Sequence, residues 1–293
     1  MTPSGSTKLP TSPSTRLSLI RIHYISAQPP STPLLFKGTI LLIHGFPQTS
    51  YQYRYVITLF AKAGYHVICP DIRGAGASSH PSSGFTKHEL AGDLFRILFE
   101  FEKVKGKVHI VGQDIGGMIA HAFTTSYPEK TASASTGECP IPGTKPYEAT
   151  KNPALMYHYS FQTVRDLPEL LVTGRERSYL KHFYDRAAYN PFAISGEDVK
   201  IYAEYYAQPG GLRCGFELYR TFEADVEYNR SVIKAKGKSK VPVMVLFGEF
   251  SFCKNYCKEM LEEVYSGPVE VGMVKNSAHW WVVDLHAVLG GSD

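Results

Sequence analysis

Acidic side chains are missing from the start of this chain: the first is Asp71, preceded by Lys8, Arg16, Arg21, Lys37, Arg54 and Lys62. Such a start suits a loose tail followed by buried strands that carry no charge, although acid-poor, Ser/Thr-rich starts also occur in organelle transit peptides. Excess charge of one sign is lacking overall. Against 27 Asp and Glu stand 31 Lys and Arg, and the formal +4 is too little to draw a nucleic-acid partner by itself. Cysteine is scarce too: five residues, at 69, 139, 214, 253 and 257, an odd number that speaks against a disulfide framework and for free thiols in a reducing, cytoplasmic setting. No apolar run approaches the roughly 18 residues of a spanning helix, and the N-terminus lacks an apolar signal core. We therefore expect neither a membrane span nor secretion.

What is present is ordinary globular material. The 293 residues are 43% hydrophobic and 13% aromatic, enough to bury a real core in one large or two modest domains. Residues 1–15 are punctuated by Ser, Thr and Pro without periodicity and are expected to be disordered. Short, nearly continuous apolar runs follow at Gly38 to Ile43, His66 to Cys69 and Val108 to Val111, each ending in a Gly-containing or polar turn. Runs of that kind suit strands buried on both faces. The amphipathic stretches Tyr55 to Ala63 and His88 to Phe101 between them suit helices. Alternation of the two predicts an α/β fold with a mostly parallel sheet flanked by helices.

The strand pattern resumes late, at Val241 to Phe247 and Val269 to Val274. From 142 to 240 there is no buried-strand run, but many aromatics, helical patches such as Leu167 to Tyr184, and breaks at Pro191 and Gly210-Gly211. We read this as a helical lid inserted into a core made of 16–141 and 241–293. The lysines at 234, 236, 238 and 240 read as a solvated return loop. Cys253 and Cys257 are one pair only, too few ligands for a metal, and none is expected.

Open α/β sheets place ligands outside the carboxyl ends of their strands, so the turns after the predicted strands are the candidate site. They are His44-Gly45-Phe46-Pro47, the segment Asp71 to Ser78, and Gly112-Gln113-Asp114-Ile115-Gly116-Gly117. The third has the form of a strand-to-helix elbow, whose small flanking residues permit a sharp turn that presents the central side chain. That side chain is Asp114. A carboxylate cannot run a serine-type mechanism, but it can attack a saturated carbon and form an ester, and the following helix N-terminus favours its ionised form.

Together with a late Ser277-Ala278-His279-Trp280, these motifs in this order resemble the epoxide hydrolase and haloalkane dehalogenase branch of the α/β-hydrolase fold, most of all its soluble epoxide hydrolases. The resemblance covers about residues 20–285. It implies a catalytic triad with Asp114 as nucleophile, His279 as general base, and an oxyanion hole of the Phe46 and Ile115 N–H groups. For the acid supporting His279 it offers two places. After Val241 to Phe247 the usual Asp position holds Ser251, with Glu249 close by; Glu138, 24 residues after Asp114, occupies the other. Glu138 is preferred, with Glu249 second.

The resemblance also implies paired lid tyrosines that donate to the oxirane oxygen. Tyr219, in its x-x-Y-R setting, is one, and Tyr159, preferred over Tyr157, the other. His44, Pro47, Phe161 and Trp280 are expected to line the pocket with Phe46, suiting a small apolar or aromatic epoxide. No cofactor is implied. Two departures from the family pattern stand out: Thr131 to Thr136 (TASAST) is polar for a buried strand, and only fourteen residues follow His279 where a closing helix is usual. In this family halide release asks for side-chain N–H donors, usually Trp or Asn, where Ile115 and Phe46 stand, which disfavours a haloalkane dehalogenase. A non-catalytic hydrolase-fold binding protein is the other alternative.

Overall fold

A computed structural model of the chain describes residues 4–8, 20–30, 36–154 and 156–288. Among these residues eight strands form one sheet: β1 Ser4–Lys8, β2 Arg21–Ala27, β3 Gly38–Ile43, β4 Tyr65–Pro70, β5 Val108–Gln113, β6 Thr131–Gly137, β7 Val243–Gly248 and β8 Val269–Val274. Their spatial order is β1-β2-β4-β3-β5-β6-β7-β8. The contacts β1 with β2 and β2 with β4 are antiparallel, and every pair from β4 onward is parallel. β3 and β4 read as unbroken apolar runs because helices cover both faces of the sheet.

Three helices belong to the first half of the sheet: α1 Arg54–Lys62, α2 Lys87–Phe95 and α3 Ile115–Ser126. α2 is opened by a Thr86/Glu89 capping box and runs on through a π-helical turn at Arg96–Phe101. Seven helices lie between β6 and β7: α4 Lys145–Thr150, α5 Tyr157–Thr163, α6 Leu167–Val172, α7 Glu176–Ala187, α8 Gly196–Tyr206, α9 Gly211–Arg220 and α10 Phe222–Lys236. α11 Cys257–Val264 joins β7 to β8, and α12 Trp281–Val288 follows β8.

Several elements depart from the sequence reading. Five residues of the expected tail, Ser4–Lys8, add the antiparallel edge strand β1; residues 1–3 and 9–15 lie outside the described residues. β2 has no counterpart among the predicted strands, because RIHYISA carries polar and apolar residues alternately rather than an apolar run. The single helical patch Leu167 to Tyr184 is two helices, broken where Gly174 takes a positive φ of 78°. The polar TASAST segment does form a strand, β6, deep in the sheet between β5 and β7. Ladder bonds on both sides come from its backbone, and the Ser133 hydroxyl meets His109 Nδ1 at 2.8 Å.

Chain order reverses at the centre of the sheet, where β3 lies between β4 and β5. The loops after β3 and β5 therefore diverge from one crevice, the place where such sheets bind ligands. The inserted helices reach back to these loops: Tyr184 Oη donates to the Pro47 carbonyl at 2.8 Å, and Arg54 pairs with Asp198 at 3.0 Å.

Candidate active site

Asp114 sits at the tip of the turn between β5 and α3, with φ 56° and ψ −134°. A non-glycine residue pays strain to hold that backbone, so the surroundings must impose it. They do so by crowding. A Cβ on Gly112 would lie 2.1 Å from the Gly116 carbonyl oxygen, and one on Gly116 would lie 2.1 Å from that of Ile43. Only glycine lets β5, α3 and β3 approach so closely, which is why Asp114 stands proud of the sheet edge.

The two carboxylate oxygens of Asp114 have different partners. Oδ1 accepts the Phe46 N–H at 2.9 Å, and the Ile115 N–H also bonds the carboxylate. Oδ2 faces His279 Nε2 at 3.6 Å. Withdrawal from water raises the Asp114 carboxyl above the ordinary carboxylate range, while the His279 charge and the two N–H groups pull it back.

His279 comes from the turn after β8, where Ser277 Oγ donates to the Val274 carbonyl and the Ala278 N–H to Asp284 of α12. Its backbone N–H donates to the Ala187 carbonyl at the end of α7, and its carbonyl accepts from Gln113 Nε2 at 2.6 Å. On the far side of the ring, Nδ1 lies 3.3 Å from Glu138 Oε2. Burial opposes a charge on this imidazole, but the Glu138 hydrogen bond and the Glu138 and Asp114 charges outweigh it and lift its pKa above the ordinary value. Asp114, His279 and Glu138 thus form one line: carboxylate, imidazole, carboxylate.

Glu138 follows β6 with a positive φ of 58°. Its Oε1 accepts the Gly248 N–H at 2.8 Å and its Oε2 the Ser251 hydroxyl at 2.6 Å. Glu249 lies outside this line: its Oε2 accepts the Asn276 N–H at 3.0 Å and so supports the turn after β8.

Above Asp114 lies a cavity of about 1020 Å³ whose walls include Phe46, Asp114, Glu138, Tyr159, Tyr219, His279 and Trp280. The rings of Tyr159, from α5, and Tyr219, from α9, are 5.5 Å apart. Burial, and next the nearby Asp114 charge, push both phenols well above 10, so both hold their protons. Tyr157 does not line the cavity; it lies against the Arg186 guanidinium.

Three expected pocket residues lie elsewhere. His44 is buried in its own loop, Nδ1 on the Gly45 carbonyl and Nε2 accepting the Ile72 N–H, and it braces the turn after β3. Pro47 offers its carbonyl to Tyr184 behind the cavity wall. Phe161 is absent from the cavity wall and packs on Tyr179. Conversely, sequence reading gave no pocket role to Phe183 and Phe252, which do line the cavity, as does His158 beside Tyr159 in α5. His158 lies against Tyr159 and Tyr219, and burial with the Arg186 charge pushes its pKa down to about 3, so the ring is neutral. Phe252 lies over His279, centroids 6.1 Å apart. Among the described residues no group of three His, Cys, Asp or Glu could hold a metal ion, and none of the described helices is long and apolar enough to cross a membrane.

Residues 38–249 match the profile of the α/β hydrolase fold family. The soluble epoxide hydrolase of Corynebacterium sp. (strain C12) is 31% identical over 267 residues, covering 89% of this chain and 87% of that protein. Epoxide hydrolase 4 of Mus musculus is 25% identical, covering 93% and 75%. Among solved structures, Cfl2 from Burkholderia cenocepacia superposes with a TM-score of 0.81 at 29% identity, covering 92% of this chain and 90% of that one. The epoxide hydrolase CorEH shares the fold at a TM-score of 0.81 and 24% identity, covering 98% and 96%. With the family profile spanning most of the chain and a relative so similar along nearly its whole length, this protein is a hydrolase of the α/β-hydrolase fold family and belongs to its epoxide hydrolase-like branch.

Proposed function

We propose that the protein opens an oxirane to a vicinal diol through an ester on Asp114. What supports this most is the division of labour at one carboxylate: Oδ1 held by the Phe46 N–H at 2.9 Å, Oδ2 free to face the cavity and His279. A serine elbow would offer no such pair of oxygens. In the first step Oδ2 attacks one oxirane carbon as the carbon–oxygen bond of the ring breaks, and the released alkoxide takes a proton from Tyr159 or Tyr219. The leaving oxygen stays tethered to the substrate, so a neutral phenol suits it better than a halide-binding N–H.

In the second step water, deprotonated by His279 Nε2, adds to the ester carbonyl. Negative charge then develops on Oδ1, where the Phe46 and Ile115 N–H groups already point. Collapse expels the diol oxygen, which takes the proton from His279; the proton left on the new Asp114 carboxylic acid returns through solvent to the tyrosinate, and the carboxylate and the phenol are restored. Glu138 stabilises the imidazolium between the two transfers. No cofactor or metal enters this scheme. The helices between β6 and β7, residues 142–240, act as the lid that carries the tyrosines and keeps bulk water from the ester. The cavity walls suit a small apolar or aromatic epoxide.

The test is diol formation from styrene oxide by wild type beside Asp114→Ala, with a bromoalkane and a nitrophenyl ester in parallel. The reading expects diol from wild type alone. Faster halide release than diol formation would replace it with dehalogenation; ester cleavage surviving Asp114→Ala would replace it with esterase chemistry. A folded protein that turns over none of the three would be a binding module.

A further inference from the structure

The position after β7 where this branch often carries an acid holds Ser251, and its contacts give it a task. Ser251 is buried, and its Oγ accepts the Cys253 N–H at 2.9 Å. With that N–H on a lone pair, the hydroxyl proton is left to point at Glu138 Oε2, 2.6 Å away. This is the oxygen that faces His279 Nδ1 at 3.3 Å. The other oxygen, Oε1, is held by the Gly248 N–H, so both donors on Glu138 apart from the imidazole come from the β7 turn, more than 100 residues along the chain. A carboxylate oxygen shared between a short hydroxyl bond and a longer imidazole bond pulls less on the imidazole than one facing it alone.

We propose that Ser251 is a positioning residue for the Asp114 and His279 chemistry: it fixes the Glu138 carboxylate in the line of the imidazole and moderates its hold on the His279 proton. The proposal rests on the ester mechanism above. It gives the β7 position a role other than that of an acid, and it explains why a glutamate after β6 can serve while Ser251 stands where a second carboxylate would otherwise crowd it. The charged and titratable groups lining the cavity around His279 are Asp114, Glu138, His158, Arg186, Lys145 and Glu259, with the phenols of Tyr159, Tyr189, Tyr219 and Tyr256. His158 is neutral, and once Asp114 is esterified its charge is gone, so Glu138 becomes the dominant charge on His279 during ester hydrolysis. The thiols of Cys139 and Cys253 behind it stay protonated, because burial pushes them up.

Single-turnover mixing with styrene oxide separates ester formation from ester hydrolysis and reads the pH profile of each. For Ser251→Ala, ester formation is expected within about twofold of wild type, while the acid limb of hydrolysis moves up by roughly half a pH unit as Glu138 tightens on His279. Ser251→Thr, which keeps the hydroxyl, is expected to restore the wild-type limb. In a Glu138→Gln background the same Ser251→Ala change is expected to leave the hydrolysis limb unmoved, since the residue acts through Glu138. An unmoved limb in Ser251→Ala, or an equal shift with and without Glu138, would overturn the proposal. Should Ser251→Ala fail to fold, Ser251→Cys puts a weaker donor in place; an upward move there supports the proposal and an unmoved limb overturns it. Wild type that forms no ester at all would instead refute the mechanism on which it rests.

Discussion

Replacing Lys87 by Met should loosen the inserted helices from the core. The Lys87 ammonium, at the start of α2, is buried against the α9–α10 junction: it donates to the Leu218 carbonyl at 2.5 Å and Thr221 Oγ1 at 3.0 Å, and pairs with Asp225 Oδ2 at 2.9 Å. Its backbone N–H donates to Asp225 Oδ1 at 2.7 Å, and the Phe222 ring lies 4.4 Å from the ammonium. Breaking a buried pair by removing one member strands the other charge, which costs about 3–5 kcal/mol. We place Lys87→Met at the lower end, about 3 kcal/mol, because Asp225 keeps the backbone N–H and Thr221 still donates to the Phe85 and Leu218 carbonyls. Asp225→Leu, which leaves an ammonium with neutral acceptors only, should cost at least as much. The double change, removing both charges, should lie within about 1 kcal/mol of wild type. Urea unfolding followed by the fluorescence of Trp280 and Trp281 measures all three. A Lys87→Met cost below about 1 kcal/mol, or a double change that costs the sum of the singles, would refute the reasoning.

Tyr219→Phe keeps the ring packed against Phe46 and Tyr159 and removes only the proton donor. Ester formation should slow by roughly 10²-fold or more, the ordinary worth of a general acid, with ester hydrolysis little changed, as single-turnover quench would read; equal slowing of both steps would sink the role. A stability prediction concerns His121 of α3, whose Nδ1 meets Tyr265 Oη at 3.1 Å and whose pKa burial pushes from 6.5 to about 4. The folded protein therefore binds fewer protons than the unfolded chain. His121 supports folding fully above pH 6.5 and loses that support as pH falls toward 4, by about 3 kcal/mol. Unfolding free energies from urea at pH 7 and pH 4 should differ less in His121→Gln by about that amount; an identical difference in both proteins would contradict the reasoning.

Particular residues show where sequence reading succeeds and where it stops. Gly38–Ile43 can be bounded to the residue because it is a compact aliphatic run ending in a turn, and Val269–Val274 because its valines stand between Pro268 and the turn after Val274. The turns that carry Asp114 and His279 are legible from local motifs, and the structure brings the two side chains to 3.6 Å of one another. Arg21–Ala27 escapes a search for apolar runs because its polar and apolar residues alternate, as suits a half-buried strand paired antiparallel with distant β4. Glu138, Gly248 and Ser251 meet because β6 and β7 are neighbours in the sheet, and spacing along the chain carries no trace of that meeting. For the same reason His44 looks like a pocket residue from its motif. Its two ring nitrogens are taken by Gly45 and Ile72, a fact that only the folded loop contains.

The central claim is a covalent ester on Asp114, and the most direct measurement is the intact mass of His279→Gln after mixing with styrene oxide. Without the base, ester hydrolysis should stall while ester formation proceeds. The account predicts stoichiometric gain of one substrate mass, mapped to the peptide that carries Asp114 and absent when Asp114 is also changed to Ala. A wild type that makes diol while the His279→Gln protein gains no mass, or gains it on another peptide, would contradict it.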